Sequence, residues 1–200
     1  MKKSILLATI GLAVSVAPSF GLGYIVMDNY NTGGPDVTYG PGSGVLTGQG
    51  LGAGWTAGLY FAQGDVRSSI GADPTGFANP STLGGGLTLG TGPGSTAAFD
   101  LYPFDTPGEF LASTGFQIND NPGDTITVMI VAYNGSSYAT SFDRGHSDPF
   151  TMITSANISP DPNKVGDHMP GFSVPVPEPA TVALGGLGLA ALLVCRRKQG

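Results

Sequence analysis

The 200-residue sequence predicts an all-β module, an antiparallel β-sandwich or jelly roll, set between an N-terminal signal helix and a single C-terminal transmembrane helix. Three observations carry that expectation. Short segments rich in β-branched and aromatic residues are punctuated by glycine-rich turns. Between the two ends, no stretch joins a helix cap to a sustained 3.6-residue apolar period. Each end holds an uncharged apolar run with basic residues beside it: Lys2 and Lys3 precede the first, and Arg196, Arg197 and Lys198 follow the second.

Residues 1–21 read as a secretory signal peptide. Lys2 and Lys3 form a basic start, Ile5 to Val16 an apolar middle, and small residues a cleavage region. Ser15-Val16-Ala17 gives the best small-x-small site, but Pro18 would follow that cut, so cleavage after Ala17, Ser19 or Gly21 stays open. The run is shorter than the ~20 apolar residues of a bilayer span, which favours a signal peptide over a retained helix. Delivery through the Sec export machinery is the corresponding expectation.

Residues 22–172 are expected to be the β module. Leu22 to Tyr30 is a candidate opening strand. Gly54 to Phe61 alternates Trp55, Ala57, Leu59 and Phe61 on one face with Thr56, Gly58 and Tyr60 on the other. Ser95 to Tyr102 and Glu109 to Ile118 are lesser strand candidates. Asp124 to Tyr133 begins by alternating threonine with apolar residues and becomes wholly apolar, as a central strand covered on both faces does. A turn at Asn134 to Tyr138 and a last strand at Phe150 to Thr154 follow. The glycine-rich stretches Gly33 to Gly54 and Gly84 to Gly94 read as long mobile loops. About 150 residues suffice to bury a core without covalent staples. None is available, because Cys195 is the single cysteine.

Charge excludes one class of partner. Leu22 to Pro177 holds three basic residues (Arg67, Arg144, Lys164) against thirteen acidic ones, a formal charge of −10. Such a module repels phosphate backbones, so no nucleic-acid partner is expected. The acidity reads as a solubility device.

The chemistry-bearing signals are sparse. Asp143 to Asp148 (DRGHSD) joins a histidine to carboxylates, but no G-x-S-x-G frame accompanies it, and it reads as a polar hairpin loop. Asn119 to Asp124 and Asp161 to Asp167 offer oxygen ligands without the EF-hand pattern, and their Asx, Pro and Gly residues read as turn chemistry. With no metal-ligand spacing, phosphate loop or dinucleotide fingerprint, the expectation is a protein that is not an enzyme, with no catalytic residues, metal or cofactor. Trp55 and Tyr60, with Phe61 and Tyr138, are the candidates for stacking on sugar rings, although single aromatics on strands are more often core.

Residues 173–200 carry the most specific signal. Val176-Pro177-Glu178-Pro179 leads into the sixteen-residue apolar run Ala180 to Cys195, then Arg196, Arg197 and Lys198. Pro175 and Pro177 keep the approach extended, while Pro179 suits the first turn of a helix. At 1.5 Å per residue that helix spans about 24 Å against a hydrocarbon core of ~30 Å, a mismatch that snorkelling basic residues absorb. Basic flanks stay cytoplasmic, so the tail would halt in the inner membrane with Arg196, Arg197 and Lys198 inside and the acidic module outside.

This Pro-Glu-Pro, apolar helix and basic stop resemble the PEP-CTERM sorting signal of Gram-negative and related bacteria. The resemblance covers about the last twenty-five residues. It implies that Val176, Pro177, Glu178 and Pro179 form the recognition and processing motif, that Arg196 to Lys198 are the membrane stop, and that exosortase, a membrane-embedded thiol transpeptidase, is the partner. The anchor would be transient, and the processed protein would go to the cell surface or the extracellular polysaccharide matrix as a structural component. The alternative is a carbohydrate-binding module of that matrix.

Overall fold

The computed structural model describes residues 22–99, 106–156 and 162–176. Among these residues ten strands lie in chain order: β1 (Gly23–Ile25), β2 (Val37–Tyr39), β3 (Thr56–Gln63), β4 (Thr88–Leu89), β5 (Thr96–Ala98), β6 (Phe116–Ile118), β7 (Thr125–Tyr133), β8 (Arg144–His146), β9 (Phe150–Ile153) and β10 (Phe172–Val174). The helical pieces among the described residues are 3-10 turns at Gly44–Leu46, Arg67–Ser69, Pro80–Thr82 and Val165–Asp167. The described part is all-β. Among the described residues no helix is long and apolar enough to cross a membrane.

The longest strand organises the rest. β7 contains neither glycine nor proline, and its β-branched residues suit a pleated surface packed on both sides. It pairs antiparallel with β3 from Thr56↔Tyr133 to Gln63↔Ile126. Its other edge takes two short strands end to end, β8 at Val131↔His146 to Tyr133↔Arg144 and β9 at Thr125↔Ile153 to Val128↔Phe150. The outer edge of β3 is treated the same way, by β4 at Tyr60↔Leu89 and β5 at Thr56↔Ala98. Both edges of this six-stranded sheet are thus short and broken, a form that resists edge-to-edge association.

Alternation sends successive side chains to two different cores. On one face lie Ala57 and Leu59 of β3 with Ile126, Val128, Ile130 and Ala132 of β7, joined by Ile25, Phe116, Ile118, Val37 and Val174 from two small strand pairs. β1 pairs antiparallel with β6, and β10 pairs with β2. On the opposite face Tyr60, Ala62, Met129 and Val131 pack with Leu87 and Tyr138 beneath the irregular segment 64–87, whose Val66, Ile70 and Leu83 cover them. Each fully buried aliphatic side chain contributes roughly 1.5–3 kcal/mol. Fully buried Asn29 ties the flanking loops together: its Nδ2 donates to the carbonyls of Pro35 (3.1 Å) and Gly108 (3.2 Å), and its Oδ1 accepts from the Phe110 N–H (2.6 Å).

Several sequence expectations change here. The pairing is not antiparallel throughout, because β2 and β10 run parallel; some 130 residues separate them, which supplies the long crossover that parallel neighbours need. The segments read as mobile glycine loops contain β2 and β4 and are held by backbone bonds such as Tyr39 N–H to Gln49 O (2.8 Å) and Gly90 N–H to Leu59 O (2.8 Å). Asp143 to Asp148 is not a polar hairpin loop: Arg144, Gly145 and His146 form β8, because the neighbouring segment supplies partners for their polar atoms. Finally, β10 crosses the 172/173 boundary drawn from the sequence, so the folded body reaches Val176. The expected signal peptide and C-terminal helix lie outside the described residues.

Candidate functional site at the C-terminal exit

β10 roots the tail in the body. Val174 is fully buried, and Val176 packs partly against the main core. The Gly40 N–H donates to the Val174 carbonyl at 2.7 Å, extending the β2–β10 pairing by one step. Glycine is required at this crossing. A Cβ on Gly40 would meet the Pro175 nitrogen at 3.0 Å, and one on Gly42, whose φ is +89°, would meet the Val176 carbonyl oxygen at 2.8 Å. On the other flank Gly145 of β8 lies under Val174, with a Cβ placed there 3.1 Å from its Cγ2. Three glycines therefore let two backbones and a neighbouring strand close around residues 174–176.

Of the expected sorting residues, Val176 is described and sits at this exit. Pro177, Glu178 and Pro179, the stop residues Arg196, Arg197 and Lys198, and the signal-cleavage residues Ala17, Ser19 and Gly21 lie outside the described residues.

Trp55 and Tyr60 do not form a sugar-stacking surface. Each is only 3% exposed. The Trp55 ring meets Tyr39 edge to face at 5.7 Å, and its Nε1 donates to the Tyr39 hydroxyl at 3.0 Å. Tyr60 points to the opposite core, edge to face with Tyr138 at 6.3 Å. Strand alternation placed the two rings in different cores, and both are covered.

The structure also builds a polar cluster that the sequence did not reveal. Asp73, in the segment covering the second face, lies 3.0 Å from His146 Nε2, with both side chains about 95% buried. Burial pushes the Asp73 carboxyl up, but hydrogen bonds from Thr75 Oγ1, the Ala78 N–H, His146 and the Thr75 N–H outweigh it and hold the group well below the usual carboxylate range. His146 Nδ1 faces the Ser147 carbonyl at 2.9 Å. Both ring nitrogens therefore face oxygen atoms of the protein itself, one a carboxylate and the other a backbone carbonyl. Neither faces a hydroxyl or thiol, as the nitrogen of a base that activates a nucleophile does. Arg144 adds to the same seam: its Nε donates to the Phe77 carbonyl (3.1 Å), its Nη1 to those of Tyr138 (3.1 Å) and Ala139 (2.8 Å). The Tyr138 hydroxyl donates to Ala78 O (3.2 Å), and burial raises its pKa. The cluster pins segment 64–87 to the sheet.

The Asn119 to Asp124 stretch is a tight turn. Gly123 adopts φ +88°, its N–H donates to Thr154 O (2.8 Å), and Thr154 Oγ1 donates to Asn121 O (2.7 Å). Burial raises the Asp120 carboxyl; the Asn121 N–H opposes that shift and neighbouring Asp124 reinforces it. Among the described residues no three His, Cys, Asp or Glu side chains gather as a metal site.

No curated protein and no solved structure matches the chain. The family model of the PEP-CTERM protein-sorting motif matches residues 175–198. That match begins one residue beyond β10 and takes in Pro175 and Val176, the last described residues of the body. The chain therefore carries, at the exit from its folded body, the PEP-CTERM sorting motif that marks an exosortase substrate.

Proposed function

We propose that residues 1–21 pass the chain to the Sec export machinery and that Ala180 to Cys195 then hold it briefly in the inner membrane, with Arg196, Arg197 and Lys198 on the cytoplasmic side. Exosortase cuts at or near Pro177-Glu178-Pro179, and the acidic β module stays at the cell surface or in the extracellular polysaccharide matrix as a non-enzymatic structural component. The observation that carries this reading is the sorting-motif match at residues 175–198, directly after the last strand of the body. The β1–β6 and β2–β10 pairs, packed on one face of the main sheet, support reading the module as a sandwich.

The non-enzymatic part of the proposal draws on His146, whose two ring nitrogens are already committed. The carbohydrate-binding alternative has no observation in its favour, since Trp55, Tyr60 and Tyr138 are buried and Phe61 packs half-buried against the main core.

Replacing Pro177, Glu178 and Pro179 together by alanine tests the reading in cells. The variant is expected to accumulate in the membrane fraction at full length while the wild-type module appears outside. Equal release of both forms would contradict it.

A further inference from the structure

The proposed anchor sets a distance limit on the folded body. Only three residues, Pro177, Glu178 and Pro179, lie between Val176 and Ala180, where the apolar run begins. Even fully extended, the four steps from Val176 to Ala180 reach about 14 Å. Whatever surrounds Val176 on the folded surface is therefore held close to the bilayer for as long as the tail is in it.

The element beside Val176 is the loop 40–48. Its Gly42 backbone lies against the Val176 carbonyl. The loop is firmly built: Gly48 N–H donates to Tyr39 O (2.8 Å), Thr47 Oγ1 to Gly40 O (3.3 Å) and Gln49 Nε2 to Val45 O (2.9 Å), around the 3-10 turn Gly44–Leu46. Yet its tip is bare. Val45 is 91% exposed and Leu46 41%. A rigid loop that holds two aliphatic side chains out of its own core presents an apolar surface to something else.

Charge favours lipid as that partner. The window Val37 to Gly64 contains no Asp, Glu, Lys or Arg, in a module whose acidic residues outnumber its basic ones thirteen to three. Elsewhere anionic headgroups repel this body; at loop 40–48 they meet an uncharged, apolar tip.

We propose that loop 40–48 is a lipid-facing surface, with Val45 and Leu46 seated in the headgroup region while the tail holds the chain in the membrane. This rests on the anchor reading above. It gives the module a fixed orientation on the bilayer, with β2 and β10 running toward the membrane and the Asn119 to Asp124 turn on the remote side. The remote side follows from register: Gly145, against Val174, pairs with Ala132 near one end of β7, whereas Ile153 pairs with Thr125 at the other end, about 27 Å from Tyr133 along the strand.

The test uses the full chain with Cys195→Ser, which removes the single native thiol. A nitroxide is attached at Val45→Cys or, as the remote control, at Ile153→Cys. Both positions are exposed, so neither label disturbs the core. The protein is reconstituted into phosphatidylethanolamine–phosphatidylglycerol vesicles, and collision of each label with oxygen and with a water-soluble nickel chelate is read by electron paramagnetic resonance. The expected result is a Val45 label protected from nickel and reached by oxygen, with the Ile153 label showing the reverse. Vesicle-bound protein whose Val45 label is as open to nickel as the Ile153 label overturns the loop proposal and leaves the anchor intact. Protein that fails to float with the vesicles overturns both.

Discussion

Asp73 and His146 show how much of this module's stability rests on single polar contacts. The Asp73 carboxylate accepts four hydrogen bonds, one of them from a histidine ring that is itself almost fully covered. Removing it by Asp73→Ala orphans the ring and the two N–H groups, and is expected to cost about 3 kcal/mol in urea unfolding. The pH dependence has a definite sign. Because the folded-state pKa of Asp73 is depressed, its contribution is fully present above the ordinary carboxylate pKa of ~3.9 and is lost as pH falls toward the folded value. Glu109 and Asp120 act oppositely. Burial raises both, with the charges of Asp36 and Asp28 adding at Glu109, so they favour the fold more as pH falls. The stability gap between wild type and Asp73→Asn should therefore narrow between pH 6 and pH 3; a constant gap would show that the carboxylate is not held ionised by its donors. None of this was legible in the sequence. His146 was visible as the histidine of DRGHSD, but its partner stands 73 positions earlier in a segment with no periodic signal, and only the closed fold brings them together. The aromatic residues were half legible: alternation put Trp55 and Tyr60 on opposite faces, and did not say that both faces are covered. With Trp55 3% exposed, its fluorescence is expected to resist iodide quenching in the native protein and to become quenchable on unfolding.

The two long strands were readable because a single element carries its own pattern. β3 and β7 fall within a residue or two of the segments expected from alternation and apolar runs, and β9 lies within Phe150 to Thr154. β2, β4, β8 and β10 have two or three residues each, too few to establish a period; β4 and β8 line the edges of the long strands β3 and β7, and β2 and β10 pair with each other. β10 matters most for function. It looked like the start of a proline-rich linker, yet Val174 is fully buried and its carbonyl is bonded to Gly40. Gly40→Val forces a side chain into the Pro175 backbone and is expected to destabilise the fold by roughly 1–3 kcal/mol, the range for overpacking. Because the clash falls on the last strand, limited proteolysis should open residues 172–176 before the β3–β7 pair. A Gly40→Val variant as stable and as protected as wild type would mean that β10 is not part of the cooperative unit.

At the level of the whole molecule, the C-terminal segment explained more than the body. It was legible because a sorting motif depends on local order and composition: Pro-Glu-Pro, an apolar run and a basic stop. The body ahead of it has no comparable motif, and its all-β class came from punctuation by glycine and from two strands. The parallel β2–β10 pair could not be read, since it joins segments some 130 residues apart. Together these features describe a covered acidic body whose last strand ends at the motif that directs its sorting. Intact mass spectrometry of the extracellular protein, from cells with and without exosortase, tests that account most directly. It predicts a product that has lost the segment from about Pro177 to Gly200 and that is absent when exosortase is deleted. A full-length tail on the extracellular protein, unchanged by the deletion, would contradict it.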